Sequence, residues 1–319
     1  MILIGGRGVG KTYGAKDFIL SKCLNSSKKF VWLRATKTMC DTLKGDKGQA
    51  LFKDVLIKEE KYNGFSYVIN GDGTIEFSKG EDKKVVGYLM SLTEYYKYKG
   101  NDFSDVEYIV FDEFMSENGE VVRGNRVIQF LNTLETVCRN RENIKIFLLS
   151  NATNLGDDIL ELFFTGVKSG AYGFYTNNEK DAVLWYMKSS DAYLETKRNS
   201  PVGKIIKGTP YEETIIDNKF RTYDSDYFDN MAPNSNIVFT IKIEDNIIGF
   251  YRTSDLPYYF AKIVYSSIEP CFVLKMEDKT DGTVVANNIF KNNLKELAYN
   301  NMIKYANESV RLKVVSFLN

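Results

Sequence analysis

The sequence predicts an α/β fold, with a parallel-sheet domain over residues 1–187, a linker domain over 188–232 and a small β-rich α+β domain over 233–319. Three observations carry that expectation. A glycine-rich turn lies between an apolar run and a helical one. Two later runs are short, continuously apolar and end in polar residues, as buried parallel strands do. Beyond Ile237 the pattern changes to alternation of apolar and polar residues.

In chain order, Met1 to Ile4 and Phe30 to Leu33 read as strands around a helix from Lys11 to about Leu24, a βαβ beginning. Asn70-Gly71-Asp72-Gly73 divides two alternating runs between Tyr62 and Phe77, which predicts a hairpin with a turn requiring positive φ. Tyr108 to Phe111 and Ile144 to Leu149 are the buried strands. Between them Val127, Phe130, Leu131, Leu134 and Val137 or Cys138 recur at helical spacing, giving one core-facing stripe. Lys188 to Asn234 is polar and reads as a connector. Ile237 to Ile243, a turn at Glu244-Asp245-Asn246 and Ile247 to Tyr251 predict a second hairpin. Strands follow near 258–265 and 271–276, and a helical segment from Asn288 to Tyr305 closes the pattern.

Composition narrows the chemistry. The chain has 319 residues, 42 basic and 42 acidic side chains and no histidine. Zero net charge gives no overall pull toward nucleic acid or anionic lipid, so any polyanion must be held locally. The missing histidine excludes Ser-His and Cys-His nucleophile pairs and most zinc sites, leaving carboxylates, lysine and arginine for catalysis. Cys23, Cys40, Cys138 and Cys271 form no CxxC pair and are expected as reduced, mostly buried thiols. No apolar run approaches the roughly 20 residues of a membrane helix. Met1 to Gly5 lacks the features of a secretory signal, so a cytoplasmic location with no membrane partner is expected.

Gly5-Gly6-Arg7-Gly8-Val9-Gly10-Lys11-Thr12 satisfies the G-x-x-x-x-G-K-[ST] pattern between a strand and a helix, the context of a phosphate-binding loop. Its glycines let backbone N–H groups turn toward phosphate oxygens, and the helix start points its positive end at them. Lys11 is expected on the β- and γ-phosphates of ATP, with Thr12 and Asp112 on Mg²⁺. Asp112-Glu113 end an apolar strand at the edge where such sheets bind ligands. Glu113 is expected to orient or activate an attacking water, which makes hydrolysis the predicted activity. Asn151, beyond the strand Ile144 to Leu149, is a candidate γ-phosphate sensor, and starting a turn is its plain structural role. Arg139 and Arg141 fit two roles at the end of the striped helix. One is complementing the helix dipole; the other is an arginine finger spreading charge over a neighbouring subunit's transition state.

Together these residues resemble the DNA-packaging ATPases of φ29-like short-tailed phages, which are RecA-like, additional-strand P-loop ATPases. The resemblance runs through Ile4 to Tyr13, Ile109 to Phe114, Thr136 to Glu142, Leu149 to Ala152, Gly203 to Tyr211, Asp217 to Phe220 and the hairpin from Ile237. It implies ATP hydrolysis with Mg²⁺ and a homopentameric ring around double-stranded DNA. It also implies docking on the procapsid portal in the host cytoplasm, with a structural packaging RNA as a further partner left open. Tyr13 joins the nucleotide-binding set, and Arg139 falls where the family's trans-acting finger falls. Lys99 aligns with a lysine of the same subunit interface, though a solvated loop charge also accounts for it. Arg34 and Lys37 match basic residues near nucleotide or DNA. The resemblance also implies that residues 233–319 are similar to an RNase H-like nuclease that has lost activity, and the sequence agrees on one point: Ile237 to Ile243 carries no central aspartate for a two-metal site. Two departures are the start directly at the first strand and the diverged segment ahead of Val106.

The expected mechanism is hydrolysis completed by a neighbour's arginine, with few DNA contacts, because a strongly basic chain would grip with steep salt dependence. Ser116 to Asn125, with Arg123 and the adjacent Arg126, offers such contacts or is a plain exposed loop. The alternative is a non-translocating P-loop ATPase acting as an assembly switch or partner-binding protein, which has no need of Glu113 and Arg139 in these roles.

Overall fold

The computed structural model describes residues 1–44, 50–115, 126–151, 155, 157–164, 167, 170–209, 212, 216, 231–243, 246–306 and 308–318. They form two compact units, Met1–Asn154 with Ala171–Asn218, and Leu155–Gly170 with Lys219–Asn319.

In the first unit β1 (Ile2–Gly5), α1 (Lys11–Cys23) and β2 (Lys29–Arg34) form the βαβ beginning. Then come α2 (Lys37–Asp41), α3 (Ala50–Lys58), β3 (Phe65–Ile69), β4 (Thr74–Lys79) and β5 (Asp82–Ser91). Next are β6 (Val106–Asp112), α4 (Arg126–Cys138) and β7 (Lys145–Asn151). The short α5 (Asp158–Glu161) belongs to the second unit, before the chain returns with β8 (Gly173–Asn177), β9 (Ala182–Met187), α6 (Asp191–Asn199) and α7 (Pro201–Ile206). The last two helices lie in the span expected as a linker, and they pack with the first unit.

The sheet has the order β3-β4-β5-β2-β6-β7-β1-β9-β8. Strands β5 through β9 in that order run parallel, with antiparallel neighbours at each end. β7 is inserted between β1 and β6, which is the additional-strand arrangement expected of a P-loop ATPase. Phe30, Trp32, Val110 and Leu149 are fully buried in one core cluster with Ile19 and Phe52 of the covering helices, as central parallel strands require.

The β3–β4 hairpin closes at Asn70 to Gly73, where the Gly73 N–H donates to the Asn70 carbonyl. The α4 stripe differs from expectation at Leu131, which is 48% exposed, while Thr133 is buried. Thr133 tolerates burial because its hydroxyl donates to the Gln129 carbonyl at 2.8 Å. β5, β8, β9, α6 and α7 were not anticipated. β5 opens with exposed charged residues and turns apolar only later. The two helices are polar, yet Ser190 and Ser200 accept from the backbone N–H of Tyr193 and Gly203 as N-caps.

The second unit holds β10 (Asn236–Ile243), β11 (Asn246–Arg252), β12 (Tyr259–Val264), β13 (Cys271–Val273), β14 (Thr283–Val285), α8 (Asn288–Tyr299), β15 (Ile303–Tyr305) and α9 (Glu308–Leu318). Its sheet runs β14-β13-β10-β11-β12-β15, an antiparallel β10–β11–β12 meander extended by parallel strands. Phe239, Ile241, Phe250, Leu294, Val314 and Phe317 share its core. The helical segment expected through Tyr305 stops at Tyr299: Ile303 and Tyr305 are buried on alternate positions of a strand, Lys304 between them less so. Their spacing of two fits a strand better than a helix. Glu244 and Asp245 lie outside the described residues. The four cysteines are free, with Cys23, Cys40 and Cys271 buried. Among the described residues no helix is long and apolar enough to cross a membrane.

Candidate nucleotide site

Between β1 and α1 the chain turns through Gly8 at φ 84° and Gly10 at φ 91°. Left-handed backbone of this kind disfavours any residue with a Cβ and lets successive N–H groups face one concavity. Buried Lys11 donates from Nζ to the carbonyls of Gly5 at 3.0 Å and Gly6 at 2.7 Å and to Asn151 Oδ1 at 3.4 Å. Desolvation pulls its pKa down to about 8, with Asp112 opposing the shift. The parallel register sets Gly5 beside Asn151, so the inserted strand brings the sensor candidate to the loop.

β6 delivers the acidic pair. Asp112 is buried and accepts from Thr12 Oγ1 at 3.1 Å. Glu113 takes φ 57°, a conformation rare outside glycine. One guanidinium spans both carboxylates: Arg34 donates to Asp112 Oδ2 at 2.7 Å and Glu113 Oε2 at 2.6 Å. β2, next to β6, presents Arg34 from the same edge as the acidic pair.

A cleft of about 1000 Å³ opens over this edge. Of the expected residues, Arg7, Gly8, Gly10, Lys11, Thr12, Tyr13, Asp112, Glu113 and Asn151 line it, whereas Gly5, Gly6 and Val9 of the same loop do not. Met39, Asp54, Lys58 and Met115 also line it and were not anticipated. Met39 comes from α2 and Asp54 and Lys58 from α3, whose sequences carry no motif, and Met115 follows β6. Tyr13 is fastened to that wall by donating to Glu59 Oε1 at 2.5 Å, and this bond, reinforced by burial, pushes the phenol up to about 12.

Oxygen donors alone, the Thr12 hydroxyl and the Asp112 carboxylate, converge where a Mg²⁺ ion is expected. They fit the hard ion that usually takes one or two protein ligands and completes its shell with water and phosphate. Among the described residues no group of three His, Cys, Asp or Glu could hold a metal by itself.

The remaining basic residues lie elsewhere. Arg139 has φ 48°, is exposed and donates to the Asn101 carbonyl at 3.1 Å. Lys99 is exposed with its ammonium 5.8 Å from the Tyr95 ring centre. Arg139 belongs to the segment beside Val106, where β6 begins, since Arg141 two residues on donates to the Val106 carbonyl. Asp112 ends that strand, roughly 20 Å away at the usual rise per residue. Neither Arg139 nor Lys99 lines the cleft of its own chain. Arg141 is committed to carbonyls of its own chain: Ser104 at 2.9 Å, Val106 at 2.7 Å and Val137 at 2.5 Å. Lys37 pairs with Glu94 at 3.9 Å, outside the cleft lining. Arg126 donates to the Phe114 carbonyl. Arg123 and the rest of 116–125 lie outside the described residues.

Residues 1–317 match the model of the family described as podovirus DNA encapsidation protein (Gp16). The DNA packaging protein of Bacillus phage B103 is 26% identical over 316 residues, covering 97% of this chain and 93% of the relative. That of Bacillus phage phi29 is 26% identical over 317 residues, covering 97% and 90%. Among solved structures, the bacteriophage Phi-29 viral genome packaging motor assembly matches with TM-score 0.69 and 23% identity, over 100% of this chain and 95% of that one. The Phi-28 gp11 DNA packaging motor matches with TM-score 0.63 and 18% identity, over 99% and 94%. These two likenesses establish a shared fold.

Proposed function

The chain belongs to the podovirus DNA encapsidation protein (Gp16) family, and from that premise we propose that it is an ATP-driven motor moving double-stranded DNA into a preformed procapsid through the portal. The observation that best supports this reading is the division of catalytic parts between the two edges of one sheet. At the loop edge, Lys11 neutralises the β- and γ-phosphates, and Asn151 beside it reads the γ-phosphate. Glu113 orients the attacking water and takes its proton, while Arg34 orients Glu113 and Asp112. Thr12 and Asp112 would hold Mg²⁺, which when bound neutralises charge on the phosphate oxygens. Arg7 and Lys58 line the cleft beside Lys11, and a further cation, from a neighbouring copy, spreads charge over the transferring phosphoryl. Arg139, on the opposite edge, supplies it together with Lys99 to the next copy in a homopentameric ring.

In this reading the ring sits at the portal vertex in the host cytoplasm, with a structural packaging RNA as an additional contact. Residues 188–232 link the ATPase to an RNase H-like domain without nuclease activity. The support for that last point is a central strand, β10, with no carboxylate among its residues. The test is steady-state ATP hydrolysis with and without double-stranded DNA and portal-bearing procapsids, using Arg139→Ala and Glu113→Gln separately and mixed. Each variant alone is expected to be inactive, and mixed rings to regain part of the rate. Absence of complementation, or a fully active isolated monomer, overturns the interfacial mechanism.

A further inference from the structure

The phosphate-binding loop is held from outside the motif. The Tyr193 hydroxyl on α6 donates to the Arg7 carbonyl at 2.7 Å. The same ring covers Gly8 so closely that a Cβ there would lie 2.0 Å from the hydroxyl. Gly5 is similarly covered by Met187 at the end of β9, whose Cβ would be 2.9 Å from an added Cβ. The β9–α6 segment therefore lies along the loop at both of these glycines.

Tyr193 is presented by a rigid support. Ser190 caps α6 by accepting from the Tyr193 N–H. At the other end Ser200 both accepts from the Gly203 N–H and donates to the Lys197 carbonyl. Gly203 then lets α7 meet α6 at backbone distance, since a Cβ there would be 2.3 Å from the Lys197 carbonyl oxygen. The α6–α7 elbow thus leaves little room for Tyr193 to drift.

A trans peptide is planar, with its C=O and N–H pointing in opposite directions. A hydroxyl that fixes the Arg7 carbonyl on the Tyr193 side therefore turns the Gly8 N–H the opposite way, and Gly8 lines the cleft. We propose that Tyr193 is a positioning residue that pre-sets the Arg7–Gly8 peptide for phosphate binding. This rests on the nucleotide reading of the cleft. Tyr193 acts through the loop and leaves the chemical step to Lys11, Asp112 and Glu113. Because the bond is formed before phosphate arrives, its loss lowers affinity for any polyphosphate and leaves turnover at saturation intact.

The test compares full-length wild type with Tyr193→Phe, which keeps the ring on Gly8 and removes only the hydroxyl. Calorimetric Kd values for ATP and for inorganic tripolyphosphate are measured beside kcat. One lost neutral hydrogen bond predicts about fivefold to tenfold weaker binding of both ligands, with kcat unchanged. Unchanged tripolyphosphate affinity overturns the inference. So does a loss confined to ATP, because the residue then contacts the nucleoside, and so does a fall in kcat with Kd unchanged. Wild-type protein that binds neither ligand removes the nucleotide reading itself.

Discussion

Arg34 and Arg139 stand at opposite edges of one sheet and are held in opposite ways. Arg34 is mostly buried, and its two terminal nitrogens meet two carboxylates. Arg139 is exposed on left-handed backbone, touching one carbonyl. A guanidinium already matched to carboxylates shapes its own site, whereas one left in solvent costs little to move onto another molecule's phosphate. The sharpest way to break this contrast is Arg139→Ala. In assembled motors, phosphate release should fall about 10³-fold or more. The unfolding free energy should stay within about 0.5 kcal/mol of wild type, as for an exposed site. Arg139→Lys should not restore the rate, since a point charge lacks the planar fork. Equal damage to stability and turnover would make Arg139 a structural residue.

Arg34→Ala should do the reverse, with its first effect on folding. Removing one partner of a buried ion pair costs about 3–5 kcal/mol. Glu113 is half-exposed, so water recovers part of that charge and the lower end, about 3 kcal/mol, is expected in a urea titration. Asp112→Asn introduced into the Arg34→Ala background should return part of the loss, because the stranded carboxylate is then neutral. Purely additive losses in this double-mutant cycle would mean that the two side chains are not coupled.

The loop edge was legible because its chemistry is local in sequence: six residues of glycine-rich loop, a lysine, a threonine and two adjacent carboxylates name their own roles. The inserted strand was legible from its apolar run, and Asn151 from its position at the end of that run. What escaped was supplied by tertiary contact. Met39, Asp54 and Lys58 line the cleft because α2 and α3 cross above β2 and β5, and no spacing in the chain announces that. Tyr193 sits 186 residues from Arg7, in a stretch whose polarity reads as connector, although Ser190 and Ser200-Pro201 are N-cap signals. Arg141 was grouped with Arg139 because they are two residues apart. The structure separates them by where the backbone turns, at Arg139 itself.

That separation gives the next comparison. Arg141→Ala should lower the unfolding free energy by about 1–3 kcal/mol, since it leaves the partly buried carbonyls of Val106 and Val137, and the exposed one of Ser104, without this donor. Hydrolysis per folded ring should be unchanged. A rate loss as large as that of Arg139→Ala, at equal stability, would give Arg141 a share of the interfacial chemistry.

The smallest effect concerns the charge state of the loop edge, and the loop's own burial sets its sign. Lys11 titrates near 8 because desolvation disfavours its ammonium form, while bound phosphates favour that form. At pH 8 about half of the nucleotide-free molecules carry a neutral amine, so binding should take up about half a proton, against about a tenth at pH 7. Affinity should fall about twofold between pH 7 and 8 and about tenfold by pH 9. Titration calorimetry at pH 8 in two buffers of different ionisation enthalpy reads the uptake directly. Binding enthalpies that do not depend on the buffer would mean that Lys11 is already fully charged in the free protein, and that the carbonyls of Gly5 and Gly6 together with Asp112 outweigh its desolvation.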